Sequence, residues 1–140
     1  MNSQQRVKIL LAEDNSGDVF LVRRALQKYQ IDHDLTVVED GEAAMRYLDA
    51  TGVSGDSNEC PDLILLDLNL PRCSGSQILE RLKSNPACRS APVIVLTSSD
   101  SPHDRASAIG LGAVRYFCKP TDLAGFMALG QVVRDVISSR

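Results

Sequence analysis

Five runs of strand length alternate along the chain with five stretches whose apolar residues recur at helical spacing. That alternation constrains the fold more than any other feature. The runs are Val7–Ala12, Asp34–Glu39, the segment that ends at Asp67, Pro92–Thr97 and Val114–Lys119. Strictly alternating strands and helices imply a parallel sheet covered by helices on both faces and joined by right-handed crossovers. The first, third and fourth runs are nearly all apolar, as strands buried on both faces are, whereas Asp34–Glu39 is polar enough for an edge. With 140 residues, 44% apolar and 24% charged, the chain has room for one domain with a real core and none for two.

The helical stretches carry their own punctuation. Asn15, Ser16 and Gly17 offer caps for the first helix, whose Phe20, Leu21, Ala25, Leu26 and Tyr29 follow helical spacing. The second opens at Asp40-Gly41, runs to about Ala50 and aligns Ala44, Met45 and Leu48. The third is expected from Ser76 to Ser84, with Ile78, Leu79 and Leu82 inward and Pro86 as its stop. Ser101-Pro102 starts a short fourth helix that holds only Ala106, Ala108 and Ile109. The last is expected from about Asp122 to Ile137, with Leu123, Phe126, Gly130, Val133 and Ile137 in one stripe and Leu129, Val132 and Val136 in a second line. Residues 51–61 form a long polar loop, expected as an exposed excursion of unassigned role.

Composition excludes several classes. A net charge of −3 gives no reason to expect nucleic acid or an anionic membrane as partner. No apolar segment approaches a membrane span, and the polar start Met1-Asn2-Ser3-Gln4-Gln5-Arg6 is not a signal peptide, so a cytoplasmic chain is expected. Cys60, Cys73, Cys88 and Cys118 lie far apart with no metal or redox spacing and read as free thiols. His33 and His103 are solitary and read as surface residues.

The chemistry concentrates at the strand ends. The first strand ends in Glu13-Asp14, the third at Asp67, the fourth at Thr97-Ser98 and the fifth at Lys119. A lone Asp67 would most simply cap the turn that Pro71 and Gly75 announce. In a parallel sheet, however, all these ends share one edge, where open α/β sheets bind their ligands. Three carboxylates, a hydroxyl and an ammonium therefore converge on one crevice. Crowded carboxylates repel, so one of them rises in pKa or the site holds a cation. Hard oxygen donors, few of them from protein, suit Mg²⁺, and Mn²⁺ should substitute.

These strand ends, the Asp67 segment with Pro71 and Gly75, and the ending Tyr116-Phe117-Cys118-Lys119-Pro120 resemble the receiver domain of two-component response regulators, from about Arg6 to Ile137. The run Leu10-Leu11-Ala12-Glu13-Asp14-Asn15-Ser16-Gly17-Asp18, the long loop before the third strand and the phrase Pro92-Val93-Ile94-Val95-Leu96-Thr97-Ser98-Ser99 resemble one subgroup, the stand-alone regulators partnered with bacterial phytochrome histidine kinases. The resemblance implies a flavodoxin-like, doubly wound parallel sheet of five strands in the order 2-1-3-4-5, with five helices. It implies Asp67 as phosphoacceptor from a partner histidine kinase, an anion already ionised at neutral pH that needs no general base. Asp14 and Asp67 would hold Mg²⁺, with Glu13 acting through water and the Asn69 backbone carbonyl as a further ligand. Lys119 would pair with Asp67 and then with a phosphoryl oxygen, and Thr97 would donate its hydroxyl to another. Thr97 and Tyr116 form the implied switch, Asn69 and Ser99 tune the phosphorylated lifetime, and the Lys119-Pro120 bond is a candidate cis peptide. Leu129, Val132 and Val136 fall on the implied output face of fourth helix, fifth strand and fifth helix, which suggests homodimerisation or kinase docking there.

Rival readings fit less well. A haloacid-dehalogenase-type phosphatase needs an acid two positions after its nucleophile, where this chain has Asn69, and a cap domain for which there is no room. A flavodoxin that binds flavin needs a phosphate loop after the first strand, where Glu13-Asp14 would repel the phosphate. A phosphorylation-independent binding module would be marked by loss of Asp67, Thr97 or Lys119, and all three are present. The expectation is a single-domain response regulator spanning residues 1–140, with no output domain after the fifth helix and no catalysis beyond its own phosphorylation and dephosphorylation. Its signal would pass through protein contacts or a phosphorelay.

Overall fold

The computed structural model describes residues 6–51 and 60–139, so most of the expected 51–61 excursion lies outside the described residues. Five strands, β1 (Val7–Ala12), β2 (His33–Val38), β3 (Leu63–Leu66), β4 (Val93–Thr97) and β5 (Arg115–Cys118), form one parallel sheet in the order β2-β1-β3-β4-β5. Between and after them run α1 (Ser16–Lys28), α2 (Gly41–Ala50), α3 (Gly75–Ser84), α4 (Pro102–Gly110), α5 (Leu123–Met127) and α6 (Leu129–Ser138). The flavodoxin-like architecture is the one expected.

Each central strand sends alternate residues to opposite faces. Leu10, Ala12, Ile64, Leu66, Val93 and Val95 pack under α2, α3 and α4, while Ile9, Leu11, Leu63, Leu65, Ile94 and Leu96 pack under α1, α5 and α6. All twelve are buried, so these strands read as unbroken apolar runs. The register pairs Ala12 with both Val38 and Leu66, Leu66 with Val95, and Thr97 with Cys118. The carboxyl ends of the strands thus finish together along one edge.

Side-chain caps start the first four helices. Asn15, Asp40 and Ser101 each accept from a backbone N–H three residues on, with Pro102 opening α4. Helix α3 begins at Gly75 rather than Ser76, because Ser74 and Gln77 cap each other's backbone N–H groups in a capping box. Strand β2 lies one residue earlier than expected.

The last helix departs most from expectation. It is divided at Ala128, whose N–H bonds to Gly125 O at 3.2 Å and whose own carbonyl accepts from Gln131 at 3.1 Å, a local tightening to three-residue hydrogen bonds. Counted as one interrupted unit, α5 and α6 complete the five helical stretches. The proposed exposed line is interior: Leu129 and Val136 are buried and Val132 is packed against the same core. Helix α6 lies against both α1 and the sheet, so it buries more than one stripe and leaves no exposed apolar line at Leu129, Val132 and Val136. Conversely Leu123, expected inward, is 58% exposed, and Phe20 and Ile109 are also exposed.

Two local expectations are corrected. Cys60 and Cys88 are not free thiols but joined in a disulfide, with Cα atoms 5.5 Å apart, while Cys73 and Cys118 remain free. The pair is separated by 28 residues, and only the fold brings the segment before β3 beside the turn between α3 and β4. No peptide bond among the described residues is cis, including that before Pro120, in keeping with the trans preference that X-Pro bonds retain. Among the described residues no helix is long and apolar enough to cross a membrane.

Helix α6 approaches α1 through Gly130, where an added Cβ would strike the Tyr29 ring and lie 2.6 Å from the Ala25 carbonyl oxygen. Gly130→Ala should therefore cost about 1–3 kcal/mol in urea denaturation. Gly110→Ala, with nothing within 4 Å of the new methyl group, should be neutral or gain up to about 1 kcal/mol. Equal stabilities for the two variants would contradict this packing.

Candidate functional site: a lysine among carboxylates at the sheet edge

Four strand ends build the site. The residues after β1 are Glu13, buried, and Asp14, exposed; Asp67 follows β3, Thr97 closes β4 and Lys119 follows β5. Backbone bonds hold these ends level: Glu13 N–H to Val38 O at 3.0 Å, Asp67 N–H to Ala12 O at 3.1 Å and Lys119 N–H to Thr97 O at 2.6 Å. The loop after Asp67 then doubles back, with Gly75 N–H donating to Leu68 O at 3.1 Å. A Cβ on Gly75 would lie 2.7 Å from Leu68 Cα, so this close return needs glycine.

Lys119 is the centre. Its Nζ lies 2.8 Å from Glu13 Oε1, 2.7 Å from Asp18 Oδ2 and 3.3 Å from Asp67 Oδ2. The ammonium has three protons and faces three carboxylates. Burial opposes the Lys119 charge, but the bonds to Asp18 and Glu13 and the charge of Asp67 outweigh it and hold the pKa above the usual lysine range. Burial pushes the Glu13 carboxyl up to about 7, against the pull of Lys119, and the neighbouring Asp67 charge adds to the rise.

Glu13, Asp14 and Asp67 each bring an oxygen to a common locus, all within 4.8 Å of one another. Glu13 Oε2 accepts from the Asn15 N–H at 3.2 Å, but buried Oε1 has no well-aligned hydrogen-bond donor despite the nearby ammonium. A buried carboxylate oxygen left in this state, beside two more hard oxygen donors, fits a divalent cation.

The remaining expected residues surround this core. Asn69 is exposed and its N–H donates to Asp67 Oδ1 at 3.1 Å, so its backbone is anchored to the carboxylate it was expected to assist. The Thr97 hydroxyl is buried and accepts from Ser99 N–H at 3.3 Å; its own proton has no acceptor among the described residues. Tyr116 lies on the edge strand yet is only 8% exposed, with its hydroxyl donating to Ser99 O at 2.9 Å and the Arg105 guanidinium 4.7 Å over its ring. Its ring and hydroxyl are thus both held against the protein. Ser99 also donates to Asp104 Oδ2 at 2.6 Å, which ties the loop after β4 to α4.

Asp18 is the residue that sequence reading missed. It sits in the first turn of α1, where an acid ordinarily reads as a favourable helix-dipole charge. Its place four residues after Asp14, on a helix that springs from the site, was the available signal.

Comparison with known proteins agrees with this geometry. Residues 9–129 match the family described as the response regulator receiver domain. Response regulator Rcp1 of Synechocystis sp. is 39% identical over 123 residues, covering 88% of this chain and 83% of that protein. The crystal structure of the phosphorylated cyanobacterial phytochrome response regulator RcpA superposes with a TM-score of 0.84 at 34% identity, covering 96% of each chain. The crystal structure of the Mn²⁺-bound form of Rcp1 gives a TM-score of 0.81 at 37% identity, covering 92% of each.

If the acidic trio holds a divalent ion, Mn²⁺ at about a hundred times its Kd should add about 2.7 kcal/mol of stability. The rise in melting temperature on titration with MnCl₂ reads this, and Asp14→Ala should abolish most of it. An unchanged melting temperature in the parent protein would separate the trio from metal binding.

Proposed function

The chain belongs to the response regulator receiver domain family, and from that premise we propose that it accepts a phosphoryl group on Asp67 from a partner histidine kinase. The observation that carries the reading is the Lys119 ammonium held 3.3 Å from Asp67 at the rim, beside the acidic trio.

The transfer asks little covalent chemistry of the protein. An Asp67 carboxylate oxygen attacks the phosphorus of a phosphohistidine, the P–N bond breaks, and the imidazole nitrogen leaves with the bonding pair. The loose transition state spreads negative charge over the phosphoryl oxygens, so catalysis is placement and neutralisation. Lys119 supplies the positive charge beside Asp67, and the uncommitted Thr97 proton is available to a second oxygen. Glu13, Asp14 and Asp67, with the Asn69 carbonyl, would hold Mg²⁺ or Mn²⁺, which when bound supplies further charge neutralisation. Asn69 and Ser99 flank Asp67 and Thr97 and would set how long the acyl phosphate lasts.

Output would follow from the chain Thr97, Ser99 and Tyr116. Movement of Thr97 toward a phosphoryl group would disturb its bond from Ser99 N–H, and Ser99 O in turn holds the Tyr116 hydroxyl. The result is a shift between two packings at β5 and α4. The partner must bring its histidine over the rim, and the exposed Phe20 of α1 and Leu123 of α5, on two helices that pack together, offer it apolar contacts. Phytochrome response regulators among the similar structures support a bacterial phytochrome-type kinase as that partner; a cytoplasmic location goes with that reading. Residues 6–137 would form the receiver unit, whose own phosphorylation and dephosphorylation are its only reactions. The α6 line gives homodimerisation no exposed apolar patch, because Leu129 and Val136 are buried and Val132 is half-buried against the same core.

Intact-mass analysis after incubation with acetyl phosphate and Mg²⁺ tests the reading. The parent protein should gain one base-labile phosphoryl group, and Asp67→Asn or omission of the metal should prevent it. A folded, metal-binding protein that gains none would instead be a phosphorylation-independent binding module.

A further inference from the structure

We propose that Asp18 is a positioning residue that takes the Lys119 ammonium away from the metal-facing carboxylates, so that Lys119 stays in place when a cation binds. This deepens the reading above and rests on its assignment of the acidic trio to a divalent ion.

Of the three carboxylates on Lys119, Glu13 and Asp67 belong to the acidic trio and Asp18 does not. A divalent cation and the ammonium would draw on the same two groups, and like charges sharing carboxylates repel. Lys119 cannot simply be released, because its side chain is only 11% exposed and a buried ammonium without a counter-charge is costly. Asp18 removes that conflict. Its contact is the shortest of the three, at 2.7 Å, and it comes from a different element. Asn15 Oδ1 accepts from the Asp18 N–H at 3.0 Å, which fixes the first turn of α1 and hence the direction from which the carboxylate arrives. The Asp18 side chain is 23% exposed against 0% for Glu13 and 9% for Asp67, so it can carry the ion pair while keeping part of its hydration.

The Lys119 ammonium therefore has two settings about one anchor. Without a cation it spans Glu13, Asp18 and Asp67; with one it leans on Asp18 and keeps a proton free for an oxygen on Asp67. Loss of Asp18 would leave Lys119 wholly on Glu13 and Asp67, in direct competition with the metal.

Calorimetric titration with MnCl₂ tests this in the full chain. Asp18→Asn, which keeps the shape and removes the charge, should weaken Mn²⁺ binding about five- to tenfold in the parent background, the scale of coupling between contacting charges. In a Lys119→Met background the same change should matter less than about twofold, because no ammonium remains to be displaced. Asp18→Glu should restore most of the affinity. Equal losses in both backgrounds would reduce Asp18 to a general negative charge and overturn the proposal, as would no loss in the parent. Acetyl phosphate labelling of the same proteins separates the two readings. A parent that takes up phosphoryl but shows no Asp18 dependence sinks this inference alone. Asp18 dependence of metal binding without any phosphoryl uptake sinks the phosphoacceptor reading alone.

Discussion

A buried ammonium held by three carboxylates is the interaction on which the rest of this structure depends. Glu13 and Asp67 are almost wholly removed from water, and Lys119 supplies the positive charge that lies beside both. Lys119 in turn comes from a strand two places away from β3 in the sheet. The cluster can form only if β1, β3, β4 and β5 end in step, and the parallel register makes them do so.

That register is enforced from below by two apolar layers. A slip of one residue in β3 would move Ile64 and Leu66 to the face of Leu63 and Leu65, exchanging both layers at once. The packed strands therefore act as a rigid mount for charges that would otherwise disperse into solvent. Among the described residues, three of the four buried polar or charged side chains, Glu13, Asp67 and Thr97, lie at the rim, and the fourth, Thr51, lies away from the site.

The link from the rim to the surface is short. Thr97, Ser99 and Tyr116 are joined by two hydrogen bonds, and Ser99 and Tyr116 meet α4 through Asp104 and Arg105. Thr97 is thus joined to α4 through few groups, each with a definite partner.

Much of this was legible in the chain itself. The period of two that buries both faces of β1, β3 and β4 appears as continuous apolar runs, and the parallel topology then places Glu13, Asp14, Asp67, Thr97 and Lys119 along one edge. Those features are local or follow from topology, so the sequence by itself determined the parallel sheet and the rim residues, while the strand order was implied by the resemblance to receiver domains. Tertiary structure decided what depends on the depth of packing and on side chains distant in sequence. Leu129 and Val136 are buried because α6 meets both α1 and the sheet, while Leu123 is left outside, a difference that helical spacing does not encode. Cys60 meets Cys88 because β3 and β4 run side by side, which brings together the segments that lead into them. Asp18 reaches Lys119 across 101 residues because α1 rises from the same edge as the site. Periodicity specifies which way a residue faces on its own element; only the assembled fold determines what it faces.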